Sequence, residues 1–205
     1  MRPAATGAAR AAALVALALG SGCASGAAPA PAAATAEPPS TPVLLGEVTR
    51  EEIEAAVPSW VSAEVEAEPD PQAARALTEV EPGARVTVYL GTWCADSRRE
   101  LARLWRAFDE IGVLDPAELP FELEYVGVGR GKDEPADRLA GVGLRYVPTF
   151  VVARGGREVG RMVEVSPHGI EHDLLALLRG EAEGVVTARD DAAELAGPET
   201  PGSRR

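Results

Sequence analysis

A chain of 205 residues has room for one domain of ordinary size with tails. Its 32 acidic residues against 20 basic ones give a net charge of −12, which repels a nucleic-acid backbone and argues against nucleic acid as a partner. Two cysteines exclude a disulfide scaffold and a zinc site made of cysteines alone.

The N-terminus reads as an address. Arg2 and Arg10 flank the start of an apolar run, Ala11 to Gly20, whose 10 residues are too few to span a bilayer core. Leu19-Gly20-Ser21-Gly22-Cys23 then resembles the lipobox of bacterial lipoproteins. That resemblance implies a signal peptide over 1–22, a lipidated Cys23 and a mature chain held in the cell envelope, facing the periplasm. Either membrane fits. An ordinary secretory signal cut near Ala24 is the alternative. The first 40 residues hold 17 Ala and 5 Pro without an aromatic, so 23–45 are expected to form a disordered tether. The stretch 188–205, with one Leu, is expected to be a disordered tail. All nine aromatics fall between Trp60 and Phe150, which places the folded domain over 46–182.

Within that domain, Thr49-Arg50-Glu51-Glu52 is a capping box before a short helix that Pro58 ends. Asp70-Pro71 opens a second helix, from Gln72 to Val80, broken at Pro82-Gly83. Arg85 to Leu90 is rich in β-branched residues and predicts a strand. From Cys94 a long helix follows, with Leu101, Leu104, Trp105, Phe108 and Ile111 on one face, closed by Gly112. Phe121 to Val128 predicts a second strand, and Ala136 to Ala140 a short helix. Tyr146 to Val152 and Glu158 to Val165 predict two strands joined through Gly155-Gly156. A last helix starts at Ser166-Pro167 and carries Ile170, Leu174, Leu177 and Leu178 inward. This order predicts an α/β domain with a mixed sheet and helices on both faces.

Two distant segments carry the chemistry. Gly91-Thr92-Trp93-Cys94-Ala95-Asp96-Ser97 lies between a strand and an amphipathic helix, and Val147-Pro148-Thr149 leads into a later strand. Together they resemble the active-site turn and the cis-proline segment of the thioredoxin superfamily, over roughly Gln72 to Arg179. The resemblance implies a three-layer α/β/α sandwich and thiol–disulfide redox chemistry through Cys94. It also implies that Trp93, Val147, Pro148 and Thr149 bind an extended polypeptide. A cysteine at a helix N-terminus faces unpaired N–H groups and the positive end of the dipole, which favour a thiolate.

Three positions depart from the family pattern. Ser97 replaces the resolving cysteine, so Cys94 has no internal partner. Val88 replaces the buried acid six residues before the nucleophile. Glu164 stands where a small residue is expected; with Asp96 it would disfavour thiolate, whereas Arg98 and Arg99 act the other way. The Ser97 hydroxyl is expected to approach the sulfur. The reading is a monothiol enzyme whose partners are oxidised protein sulfur and an external reducing thiol, without a cofactor or metal. The alternative is a binding module of the same fold that holds polypeptides or partner proteins without turnover; Cys94 could then be mere packing.

His168 and His172 share a metal-binding spacing, but sit opposite the apolar stripe, with Glu171 or Asp173 as speculative third ligands, and read as a solvated face. Gly127, Gly129 and Gly131 lack dinucleotide-binding spacing, because the next helix starts too late.

Overall fold

The structure, a computed structural model, describes residues 40–195. The segment expected to be a signal peptide, Cys23, the expected tether up to residue 39 and the end of the expected tail, 196–205, lie outside the described residues.

The caps form as their chemistry dictates. Thr49 accepts a hydrogen bond from the Glu52 N–H (3.2 Å) and Glu52 accepts one from the Thr49 N–H (2.9 Å), which starts α1 (Arg50–Ala56). Pro58 does end that helix, but the chain turns at once into α2 (Ser59–Val65), which buries Trp60. Asp70 caps α3 (Pro71–Leu77) with Pro71 in its first turn. The long helix is α4 (Ala95–Ile111); it buries Leu101, Leu104, Trp105 and Phe108 and ends on Gly112 at φ 80°. The short helix α5 spans Ala136–Leu139. The last, α6 (Ile170–Arg179), starts four residues later than Ser166 suggests, with Gly169 at φ 102° in the capping position.

Six strands form one mixed sheet: β1 (Gly46–Val48), β2 (Ala84–Leu90), β3 (Glu122–Gly127), β4 (Thr149–Arg154), β5 (Arg157–Val163) and β6 (Gly184–Val186), in the order β1-β3-β2-β4-β5-β6. β2 runs parallel to β3 across the α4 connection and antiparallel to β4. Gly155 and Gly156 both take positive φ (59° and 75°), as the two-residue turn between β4 and β5 requires.

Strand alternation sorts the core into two clusters. Val86, Val88, Leu90, Tyr125, Phe150, Val152 and Met162 pack with the apolar residues of α1 to α4 and α6. The alternate positions Tyr89 and Val126 join Val128 and Val147 in a second, smaller cluster, against Trp93, Cys94, Leu139 and the 142–144 loop. Helices therefore cover both faces unequally, with α5 alone among the described helices on the second.

The packed unit is wider than 46–182. On the N-terminal side Leu44 lies against the main core. At the other end β6 pairs with β5, a short 3₁₀ turn spans Ala192–Glu194, and Leu195 is buried. The expected tether and tail are thus ordered over 40–45 and 188–195, because Leu44 and Leu195 supply apolar side chains and the backbone finds hydrogen-bond partners.

Candidate active site

β2 delivers the chain to a tight turn. The Cys94 N–H donates to the Gly91 carbonyl (2.9 Å), and the Arg98 N–H donates to the Cys94 carbonyl (3.1 Å), so Cys94 is the capping residue of α4. Gly91 has to lack a side chain: a Cβ there would sit 2.7 Å from the Trp93 ring, which folds back over it. The Trp93 indole N–H donates to the Val128 carbonyl (3.1 Å), and the Arg130 guanidinium lies 5.4 Å from its ring centre. Thr92 ties the turn to the incoming chain, donating to the Pro42 carbonyl and accepting from the Leu44 N–H.

The half-buried Cys94 is unbridged, and its Sγ donates to the Val147 carbonyl at 3.2 Å. The two segments singled out in the sequence, 53 residues apart, therefore meet at the sulfur. The Val147–Pro148 peptide is cis. Val147, Pro148 and Thr149 are all buried, and the Thr149 hydroxyl donates to the Tyr146 carbonyl (2.8 Å), which closes the bend before β4. Thr149 thus holds the segment in shape instead of presenting its hydroxyl outward.

Ser97 behaves differently from the expectation. Its fully buried hydroxyl accepts from the Gly91 N–H at 3.2 Å, bracing the turn from beneath, while the sulfur points to Val147. Asp96 pairs with Arg99 (2.8 Å), and Arg99 also reaches Glu100 (3.1 Å). Burial pushes the Glu100 carboxyl up, against the pull of Arg99. Glu164 is paired as well: Arg189 holds its carboxylate at 2.6 Å. The two acids expected to oppose a thiolate are thus each matched by an arginine. Val88 is fully buried in the main core, so that position carries no carboxylate.

The imidazoles of His168 and His172 are exposed and pair with Asp173 (2.8 Å) and Asp70 (3.1 Å) respectively. Glu171 and Asp173 are buried, not part of a solvated face. Glu171 takes two bonds from Arg103 and one from the Asp70 N–H. Burial pushes its carboxyl up, but those bonds outweigh it and hold the group below the usual carboxylate range. Among the described residues no group of three or more His, Cys, Asp and Glu side chains could hold a metal ion. A cavity of about 750 Å³ lined by Arg50, Trp105, Phe108, Leu123 and Tyr125 involves none of the site residues.

Four residues to which the sequence reading gave no role shape the site: Gly91 and Thr92, quoted there only within the motif, and Arg130 and Arg189, not named for the site at all. Only Gly91 had a local signal, a glycine two places before a tryptophan in a strand-to-helix turn.

No family model matches the chain, and no curated protein matches it. Among solved structures it is similar to a protein described as of unknown function from Pseudomonas aeruginosa, at 22% identity and a TM-score of 0.48. It is also similar to an HIV epitope scaffold, at 23% identity and a TM-score of 0.47. Each likeness covers 67% of this chain and 94% of the other. Neither bears on the chemistry.

Proposed function

We propose that the chain is an exported monothiol thiol–disulfide oxidoreductase with a thioredoxin-like fold, acting through Cys94. The observation that carries this reading is the sulfur at the start of α4, half-buried and 3.2 Å from the Val147 carbonyl of a distant segment. A cysteine that served only as packing would need neither the helix N-terminus nor that second segment.

In the proposed reaction the Cys94 thiol gives up to water the proton with which it bonds the Val147 carbonyl. The thiolate attacks one sulfur of a substrate disulfide. A Cys94–substrate disulfide forms and the second substrate sulfur leaves as a thiolate. Because Ser97 carries no sulfur, an external thiol attacks the mixed disulfide, leaves with the substrate sulfur and returns Cys94 to its thiol state. Trp93 covers one side of the turn, and the Tyr146–Pro148 segment lies beside the sulfur.

The test is trapping. The full chain carrying Cys23→Ala, incubated with an oxidised bacterial envelope extract, is expected to form adducts through Cys94 that dithiothreitol releases, and the same chain with Cys94→Ala added should form none. Adducts absent from both proteins would contradict the enzyme reading and favour the binding module. For export, we propose that the mature chain begins at lipidated Cys23; an intact mass with an unmodified N-terminus at Ser25 would overturn that anchor.

A further inference from the structure

Beyond the turn itself, residues 187–195 make a set of contacts that converge on the segment beside the sulfur. After β6, the Thr187 hydroxyl donates to the Val163 carbonyl (2.7 Å) and the Ala188 N–H to the Val165 carbonyl (2.9 Å). Arg189 then reaches back over the site. Its guanidinium lies 3.8 Å from the Tyr146 ring centre and donates to Glu164 (2.6 Å) and twice to Asp191 (2.7 and 3.1 Å). The Tyr146 hydroxyl donates to the same Asp191 carboxylate (3.4 Å). Leu195 closes the strap by burying its side chain.

Two of the three residues that Arg189 grips, Tyr146 and Glu164, hold the backbone around Val147. Tyr146 directly precedes it, and its carbonyl is held by Thr149. Glu164, in a left-handed conformation at φ 59° that a residue with a side chain rarely adopts, donates its N–H to the Pro148 carbonyl at 2.7 Å. Arg189 holds the carboxylate of this residue at 2.6 Å. The resulting chain of contacts runs from Arg189 through Tyr146 and Glu164 to Pro148 and Val147, and ends on Sγ of Cys94.

We infer that residues 187–195 form a strap that positions the Tyr146–Pro148 segment against Cys94, with Arg189 as its positioning residue. This rests on Cys94 acting as the nucleophile. Arg189 touches neither the sulfur nor a reacting disulfide; it acts through Val147. Loosening the strap frees the sulfur from the carbonyl that accepts its proton, yet spoils the surface beside which a polypeptide disulfide must lie. A small reagent and a large one should therefore respond in opposite directions.

The experiment measures two second-order rates at pH 7 on the full chain carrying Cys23→Ala, so that Cys94 is its one thiol: alkylation by iodoacetamide and exchange with a disulfide-linked peptide, for this parent, Arg189→Gln and Arg189→Lys. In Arg189→Gln alkylation is expected to rise about fivefold while peptide exchange falls about fivefold, the size expected of contacting residues that share one network. Arg189→Lys should recover part of both, because it keeps the charge but not the fork that holds Glu164 and Asp191 together. Tyr146→Leu, which leaves every charge in place, should shift both rates the same way by less. If the parent itself exchanges no faster than a free cysteine, the nucleophile reading fails and the strap fails with it. If the parent reacts but both rates of Arg189→Gln stay within twofold, or move in the same direction, the strap inference is overturned and the nucleophile reading stands.

Discussion

The two faces of the sheet are built for different work. One carries α1 to α4 and α6 and holds the main core, with Trp60 and Trp105 tilted 35° to each other at 5.4 Å and Trp105 edge-on to Tyr125 at 5.9 Å. The other carries α5, a loop and a cluster centred on Tyr89, Val126, Val128 and Val147. Its polar groups are held by pairs instead: Arg161 by Glu158 and the Val142 carbonyl, and Arg138 by Glu124. The candidate site belongs to the second cluster, where less apolar surface is buried and segments can shift at lower cost. The main core and the candidate site thus lie in different clusters of one sheet.

The contrast between the faces is tested most severely at Trp105. Truncation to Ala removes a fully buried ring that also donates to the Tyr125 hydroxyl (2.9 Å), and should cost about 3–5 kcal/mol in urea unfolding. A loss below about 1 kcal/mol would show that the thick face does not dominate the core.

A pH effect comes next in size, and it also lies on the thick face. Arg50 makes two bonds to Asp109 (both 2.8 Å), one to Glu64 (2.6 Å) and one to Glu54 (2.7 Å). Burial pushes the Glu64 carboxyl from 4.5 up to about 7, and the adjacent Asp109 carboxylate pushes the same way. The folded chain therefore keeps a proton that the unfolded chain releases from about pH 4.5 upward, so this contribution is full below 4.5 and is lost as pH climbs through 7. Asp109, which the Arg50 bonds hold below its ordinary 3.8, acts in the opposite sense and only in more acidic solution. Stability should fall by on the order of 1–2 kcal/mol between pH 5 and pH 8, and Glu64→Gln should flatten that slope. An unchanged slope in the variant would assign the effect elsewhere.

Ser97→Cys probes the turn from beneath. It should cost about 1 kcal/mol, because sulfur accepts poorly from the buried Gly91 N–H. It should also permit a disulfide between Cys94 and the introduced thiol: side chains three apart on a helix lie about 5–6 Å apart at Cβ, and a small adjustment at the helix N-terminus brings them to the ~3.5–4.5 Å that a disulfide needs. Two thiols that persist under mild oxidation would contradict this. The smallest effect is expected at Trp93→Phe, which removes the bond to the Val128 carbonyl on the thin face and should cost about 0.5–1.5 kcal/mol.

Legibility in the sequence followed the range of the interactions. The capping box at Thr49, the Asp70-Pro71 start, the amphipathic α4 and the Gly155-Gly156 hairpin all rest on neighbours within a few residues, and each formed where its residues suggest. β1 and β6, of three residues each, exist only through pairing with β3 and β5, which no local pattern announces. α2 follows Pro58 directly, and its seven residues have no capping side chain to announce them. At the site, the turn and the Val147 segment were legible as motifs, while the direction of the Ser97 hydroxyl depended on packing. Arg189 sits 25 residues from Glu164 in a stretch whose composition resembles a tail, so its contacts were invisible.

The most direct test of the central claim uses the chain as its own reference. The second-order rate of Cys94 with a peptide disulfide at pH 7 is measured in the folded protein and again in the protein unfolded in urea, with Cys94→Ala as the blank. Folding is expected to raise the rate at least about tenfold, because it sets the half-exposed sulfur at the start of α4 beside the Val147 segment, where a peptide disulfide can lie. A folded rate equal to or below the unfolded one would mark Cys94 as an ordinary thiol held in the packing, and would contradict the claim.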